Sequence, residues 1–150
     1  MNIKEILNLK TGGRWLVSPA AKETIFCREN FNQDHKDIEK MVLKFANEKI
    51  FPNVRKIERL DESFSRSIMQ EMGDLGLLGV DVPEKYGGTE LDKITACIVA
   101  EGIGFSGSSS FGCTFGVQTG IGSLGIVLFG TPEQKRKYLP KLMSGEWIAA

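Results

Sequence analysis

The sequence predicts an all-helical fold, and three observations carry that prediction. Every long segment from residue 32 onward repeats its apolar residues at helical spacing. No segment alternates apolar and polar residues with the period of two that marks a half-buried strand. The punctuation is that of helices: Asn32, Asp92 and Thr131 stand where caps belong, and Gly76 and Gly145 where helices stop. At 150 residues the chain is large enough for one domain with a single core.

Residues 1–31 hold no sustained period and are broken at Gly12-Gly13 and Ser18-Pro19, so they read as an arm preceding a helical domain over 32–150. Trp15, Leu16, Ile25 and Phe26 give the arm enough apolar surface to pack on its own body or on a partner. From Asn32 a long helix is expected, with Ile38, Met41, Val42, Phe45 and Ala46 on its buried side. Pro52 should kink or break it before Val54 and Ile57, because proline lacks the amide donor and crowds the preceding turn. A second helix is predicted from about Ser63 to Leu75, with Phe64, Ile68, Met72 and Leu75 as its stripe and Gly76 as its stop.

Residues 77–88 read as a turn-rich loop, with Gly87 and Gly88 free to take positive φ. Asp92 should cap a third helix through Ile94, Ile98, Val99 and Ile103, ended by the glycines and serines of 104–112. From Phe111 to Phe129 the chain carries no charge, and a segment without a polar face is expected to be buried on all sides. Gly112, Gly116, Gly120, Gly122 and Gly125 there either let helices approach closely or leave room beside them. The last helix is the best marked: Thr131 as cap, Pro132 at the first position, Gln134 at capping-box spacing, Tyr138, Leu139, Leu142 and Met143 on one side, and Gly145 as stop.

Composition excludes several classes. Nineteen lysines and arginines balance nineteen acids, so no charge excess points to nucleic acid or a membrane surface. The N-terminus lacks an apolar signal region, and no stretch holds the ~18 uninterrupted apolar residues of a membrane span. Cys27, Cys97 and Cys113 are odd in number and far apart, which fits a reduced, cytoplasmic setting and no disulfide framework. His35 is the sole histidine; a metal site is not expected, and His35 is read as a solvated residue of a first helical turn. Gly102–Gly107 and Gly120–Gly125 both match G-x-G-x-x-G, but neither follows a strand, so neither is read as a nucleotide site. Ser108-Ser109-Ser110 lacks a nucleophile elbow. Lys135, Arg136, Lys137 and Lys141 form a basic face suited to solubility and the helix dipole.

Two literal runs go further. Gly130-Thr-Pro-Glu-Gln-Lys-Arg-Lys-Tyr-Leu-Pro-Lys-Leu-Met-Ser-Gly-Glu146 and the 77–88 loop, Leu-Leu-Gly-Val-Asp-Val-Pro-Glu-Lys-Tyr-Gly-Gly, closely resemble the N-terminal helical domain of flavin-dependent acyl-CoA dehydrogenases. The resemblance covers roughly residues 25 to 150 and looks more like the long- and very-long-chain branch. It implies a helical bundle, with residues 147–150 extended as the start of a β-domain that the chain stops short of. It implies an activity, the α,β-dehydrogenation of a fatty acyl-CoA, in which a glutamate takes the α-proton and FAD accepts the β-hydride.

The resemblance further implies an electron-transfer flavoprotein as partner and a homo-oligomer. The catalytic base and the main flavin contacts fall outside this chain in that family. What transfers is a wall of the acyl-chain pocket: counted back from Gly130, it is formed by Cys113, Thr114, Val117 and Ile121. Val117, flanked by Gly116 and Gly120, implies a deep pocket. By itself the chain is expected to be inert, without bound flavin, and self-associating. The alternative is a helical binding or assembly module that acts without catalysis, from a truncated gene.

Overall fold

The computed structural model describes residues 27–149. The expectations for Trp15, Leu16, Ile25 and Phe26 lie outside the described residues. Contacts divide the chain into two units at Asn32/Gln33. In the first, Arg28–Asn30 form a 3-10 turn, and the Asn30 side-chain oxygen accepts from the Cys27 amide at 2.9 Å.

The second unit is helical, with no strand among the described residues. Helix α1 is Gln33–Phe45, starting directly after the residue expected to cap it. Val42, Phe45 and Ala46 are buried as their spacing predicts, with Ile38 and Met41 half-buried. Pro52 does not break the chain's helical course. Ala46–Ile50 widens into a π-turn and Phe51–Asn53 tightens into a 3-10 turn before α2, Val54–Glu58. A proline clashes with the carbonyl four residues back; the wider turn relieves this, and the Asn53 side chain donates to the Lys49 carbonyl at 3.0 Å.

Helix α3, Glu62–Asp74, starts one residue earlier than predicted, because Asp61 rather than Ser63 organises its first turn. The Asp61 carboxylate accepts from the Phe64 amide at 3.0 Å and from the Ser63 hydroxyl at 2.8 Å. Ile68 and Met72 are buried as expected, but Leu75 is 46% exposed, since it falls after the last helical residue. Gly76 follows at φ +73°. In the loop Gly87 takes positive φ (+88°), but Gly88 does not. Gly88 is needed for space instead: a Cβ there would overlap the Val82 carbonyl.

Helix α4 is Lys93–Gly104 and packs along α1. Asp92 caps it as predicted, one carboxylate oxygen accepting from the Thr95 amide (2.8 Å) and hydroxyl (2.7 Å). Its other oxygen meets His35 Nε2 at 3.1 Å. His35 is thus not solvated but buried, at 5% exposure, held between α1 and the start of α4. After Gly107 (φ +79°) come α5, Ser109–Gly116, a π-turn, Val117–Gly122, and α6, Ser123–Phe129, a continuous helical run. Helix α7 is Pro132–Met143, with the predicted capping box: Thr131 Oγ1 accepts from the Gln134 amide at 3.3 Å and Gln134 Oε1 from the Thr131 amide at 2.8 Å. Residues 144–149 form neither helix nor strand.

One core gathers Val42, Phe45 and Ile50, with Ile68, Met72, Ile103, Phe111 and Phe115. A second joins Val82 to Leu139, Leu142 and Met143. Close backbone approach ties α3 to the end of α7: a Cβ on Gly145 would stand 2.6 Å from the Met69 carbonyl.

Candidate functional site

The run 109–129 is where the domain departs most from the expectation of its sequence. Its start is fixed by polar side chains: Ser108 Oγ accepts from the Phe111 amide at 3.2 Å and donates to Glu58 at 2.7 Å, and Ser110 Oγ donates to the same carboxylate at 2.6 Å. Those two hydroxyls, Ser108 first, hold the Glu58 carboxyl below the usual range. The serine triplet is therefore a cap and a carboxylate clamp. Phe111 and Phe115 then enter the core. The hydroxyls of Thr114, Thr119 and Ser123 each donate to the carbonyl four residues back, at 3.1, 3.0 and 2.9 Å, so these side chains present carbon rather than a free hydroxyl hydrogen to their surroundings.

The segment is not buried on all sides. Ile121 is 81% exposed, Leu128 60% and Phe129 87%, and only 22% of the apolar window is buried. By length and composition the run Ser109–Phe129 is apolar enough to cross a membrane, which a count of uninterrupted apolar residues does not flag. The four residues picked from the resemblance share this open side. Cys113 and Ile121 are exposed, and Thr114 and Val117 half-buried. The spacing of 113, 117 and 121 puts them on one stripe, and the π-turn, which rotates less per residue than an α-turn, keeps Ile121 beneath Val117. The stripe continues through Gly125 to Phe129, where a groove of about 330 Å³ is lined by both, with Ile126, Gly130, Gln134 and Tyr138.

The opposite side of the run closes a second space. A cleft of about 180 Å³ lies between Leu77 and Val80 of the loop, Ala96 and Cys97 of α4, and Phe115 and Leu124. The Lys93–Asp81 ion pair stands at its edge. None of Cys113, Thr114, Val117 or Ile121 lines it.

The structure also settles what the glycines do within this domain. A Cβ added at Gly112, Gly116, Gly120 or Gly125 meets nothing within 4 Å, so no helix of this domain packs on them. Gly122 alone of the five is a close-approach glycine, with Ala149 against it. Neither G-x-G-x-x-G match follows a strand: Gly102–Gly107 spans the end of α4 and the turn after it, and Gly120–Gly125 lies within helical backbone. The basic residues of α7 are largely engaged: Arg136 with Glu133 (3.0 Å), Lys141 with Glu146 (3.0 Å) and the Trp147 ring, Lys137 over Tyr138.

One residue escaped the sequence reading. Gln118 is fully buried, and its side chain bonds to the main chain near the end of α7. It is the one carboxamide in an uncharged stretch whose other polar side chains are hydroxyls and a thiol, which marks it without telling where it points. Both spaces are lined chiefly by carbon, and the only buried side-chain polar atom left without a partner among those residues is Ser106 Oγ, in the turn between α4 and α5.

Comparison with known proteins now gives the frame. The family model "Acyl-CoA dehydrogenase, N-terminal domain" matches residues 32–146. A probable acyl-CoA dehydrogenase of Bacillus subtilis is 41% identical over 147 residues, which is 98% of this chain and 24% of that protein. The mitochondrial isovaleryl-CoA dehydrogenase of Solanum tuberosum is 40% identical over 80% of this chain and 29% of its own length. The crystal structure of a Bacillus anthracis acyl-CoA dehydrogenase complexed with FAD superposes with a TM-score of 0.79, at 44% identity over 83% of this chain and 21% of that one. The chain thus spans about a quarter of the length of the curated relatives it matches. With the family model covering more than two thirds of it, the chain belongs to the acyl-CoA dehydrogenase family and carries that family's N-terminal helical domain.

Proposed function

We propose that this chain is the helical part of an FAD-dependent acyl-CoA dehydrogenase and that the open side of 109–129 forms one wall of its acyl-chain pocket. The observation that carries the proposal is the uncovered apolar stripe Cys113–Val117–Ile121–Gly125–Phe129, set beside glycines that no helix of this domain fills. Exposed apolar surface of this extent marks a place where something else binds. At 1.5 Å per residue the stripe is roughly 24 Å long, the dimension of an extended chain rather than of a compact ligand. The 180 Å³ cleft on the other side is the weaker candidate, below the ~300–1,000 Å³ usual for ligand sites.

The wall's work is to bind and to exclude water. Carbon-lined positions and back-bonded hydroxyls hold an alkyl chain without competing for its carbonyl end. The flavin is proposed for the complete enzyme because a relative of known structure is complexed with FAD; no step is assigned to the described residues of this chain. An electron-transfer flavoprotein as acceptor, a homo-oligomeric assembly and a cytoplasmic setting belong to the same proposal, the last resting on three free, exposed thiols. A wall within a folded enzyme is favoured over a membrane span because the other side of 109–129 enters two cores and buries Gln118 and Ser123 with polar partners.

A preference for longer acyl chains also belongs here. The room beside Gly116 and Val117 supports it; the relatives named above, acyl-CoA and isovaleryl-CoA dehydrogenases, do not single out a long-chain branch. Val117→Glu tests both statements in a catalytically competent protein containing this segment. A carboxylate placed unpaired in an apolar pocket costs several kcal/mol, and long acyl chains should lose far more kcat/KM than short ones. Equal losses at all chain lengths would remove Val117 from the wall.

A further inference from the structure

We infer that Gln118 is a positioning residue, a latch that holds residues 147–149 in fixed register against the helix carrying the open face. It sits one residue from Val117, on the side that continues the buried stripe of Phe111 and Phe115. A carboxamide with no exposure in such a stripe is unfavourable unless its donors and its acceptor are all met. Here they are met by the main chain of one short region. Nε2 donates to the Leu142 carbonyl at 2.7 Å and to the Trp147 carbonyl at 3.0 Å, and Oε1 accepts from the Ala149 amide at 2.7 Å. The orientation of the amide follows from its partners, because a flipped group would set oxygen against two carbonyls.

Residues 144–149 lie outside any helix or strand; carbonyls of α7 accept from the amides of Ser144, Gly145 and Trp147, and Gln118 meets the Trp147 carbonyl and the Ala149 amide beyond their reach. A second, independent feature marks the same docking. A Cβ on Gly122, one turn beyond Gln118, would overlap the Ala149 side chain and come within 3.1 Å of the Val117 carbonyl, so the backbone is bare where Ala149 lies on it. Trp147 completes the arrangement: its amide donates to the Lys141 carbonyl at 3.0 Å, and its ring lies 6.1 Å from Tyr138 and 4.6 Å from the Lys141 ammonium.

Through Gln118 the open face and the segment after α7 behave as one body. A displacement of Val117 is felt at Trp147–Ala149 without passing through the core. The consequence for an acyl chain rests on the proposed wall; the latch itself does not.

Residue-resolved amide exchange on the 150-residue chain tests it. In the wild type the Ala149 amide exchanges far more slowly than an unprotected amide, despite lying outside any helix. Gln118→Met keeps the side chain's bulk and removes all three bonds. It speeds Ala149 exchange about tenfold or more, as losing a buried hydrogen bond implies, and leaves the amides of Met69 and Met72 unchanged. In a Trp15→Phe background it also moves Trp147 emission to the red. Gly122→Ala produces the same release with Gln118 intact.

An Ala149 amide at the unprotected rate in the wild type overturns the inference. So does a Gln118→Met chain in which Ala149 stays slow, or in which Met69 and Met72 accelerate equally, since Gln118 would then be core filler. If Gln118→Met does not fold, the wild-type rate and Gly122→Ala decide alone. No readout uses acyl-CoA, so the latch and the wall fail separately.

Discussion

The two sides of the run 109–129 are made from nearly the same residue types and do opposite things. The inner side buries Phe111 and Phe115 and closes a cleft against α4; the outer side leaves Ile121, Leu128 and Phe129 in the open. Their glycines differ in the same way, Gly122 pressed against Ala149 and Gly116 and Gly125 against nothing. Apolar composition therefore does not tell which surfaces a domain covers for itself. What the domain leaves bare is the surface available to a ligand or another domain, and this is where the family resemblance puts the acyl chain.

The largest effect expected from this contrast is on stability. Phe111→Ala should cost about 3–5 kcal/mol, the usual loss for a fully buried phenylalanine, while Phe129→Ala should stay within about 0.5 kcal/mol. Urea denaturation of the two variants checks it, and similar losses would mean that the outer side is covered after all. Gly116→Ala comes next. With open space around it, the substitution should stabilise the domain by about 0.5–1 kcal/mol through helix propensity. In a competent enzyme the same methyl should shorten the acyl chains accepted, a stability gain coupled to a specificity loss that chain-length profiles would reveal.

A smaller effect serves as a control away from both sides. Asp92→Ala removes the cap of α4 and the partner of His35 and should cost about 1 kcal/mol at neutral pH. The Thr95 amide and hydroxyl, and after them His35, hold the Asp92 carboxyl below its ordinary 3.8. A carboxyl depressed by folding adds stability above its unfolded value and loses it as pH falls through the lowered one. The difference between wild type and variant that this carboxyl contributes should thus be flat above about pH 5 and shrink in more acid solution. Denaturation series across that range decide it.

Much of this was legible in the sequence because it is local. Asp92, Thr131 with Gln134, Gly76 and Gly145 act within a few residues of themselves, and each does what its position predicts. The family was legible too, from two literal runs. What failed was long-range. His35 looks solvated among charged neighbours, but its partner Asp92 is 57 residues away. The burial expected of 111–129 failed because a missing polar face says only that a segment is apolar, not that this domain has material to cover it. Gln118 was passed over since nothing local distinguishes a buried carboxamide from an exposed one; its partners are 24 to 31 residues on.

The wall itself is best tested by two thiols that the fold already provides. Cys113 lies on the open side, and Cys97 lines the cleft on the other. In a competent enzyme containing this segment, with Cys27→Ser to remove the third thiol, the alkylation rate of each can be followed as acyl-CoA is added. The account predicts that long-chain acyl-CoA slows the labelling of Cys113 strongly and that of Cys97 little, with Cys113 protection fading as the acyl chain shortens. Protection of Cys97 instead would contradict it and assign the chain to the cleft, and protection of Cys113 that ignores chain length would show that the open side does not hold the acyl chain.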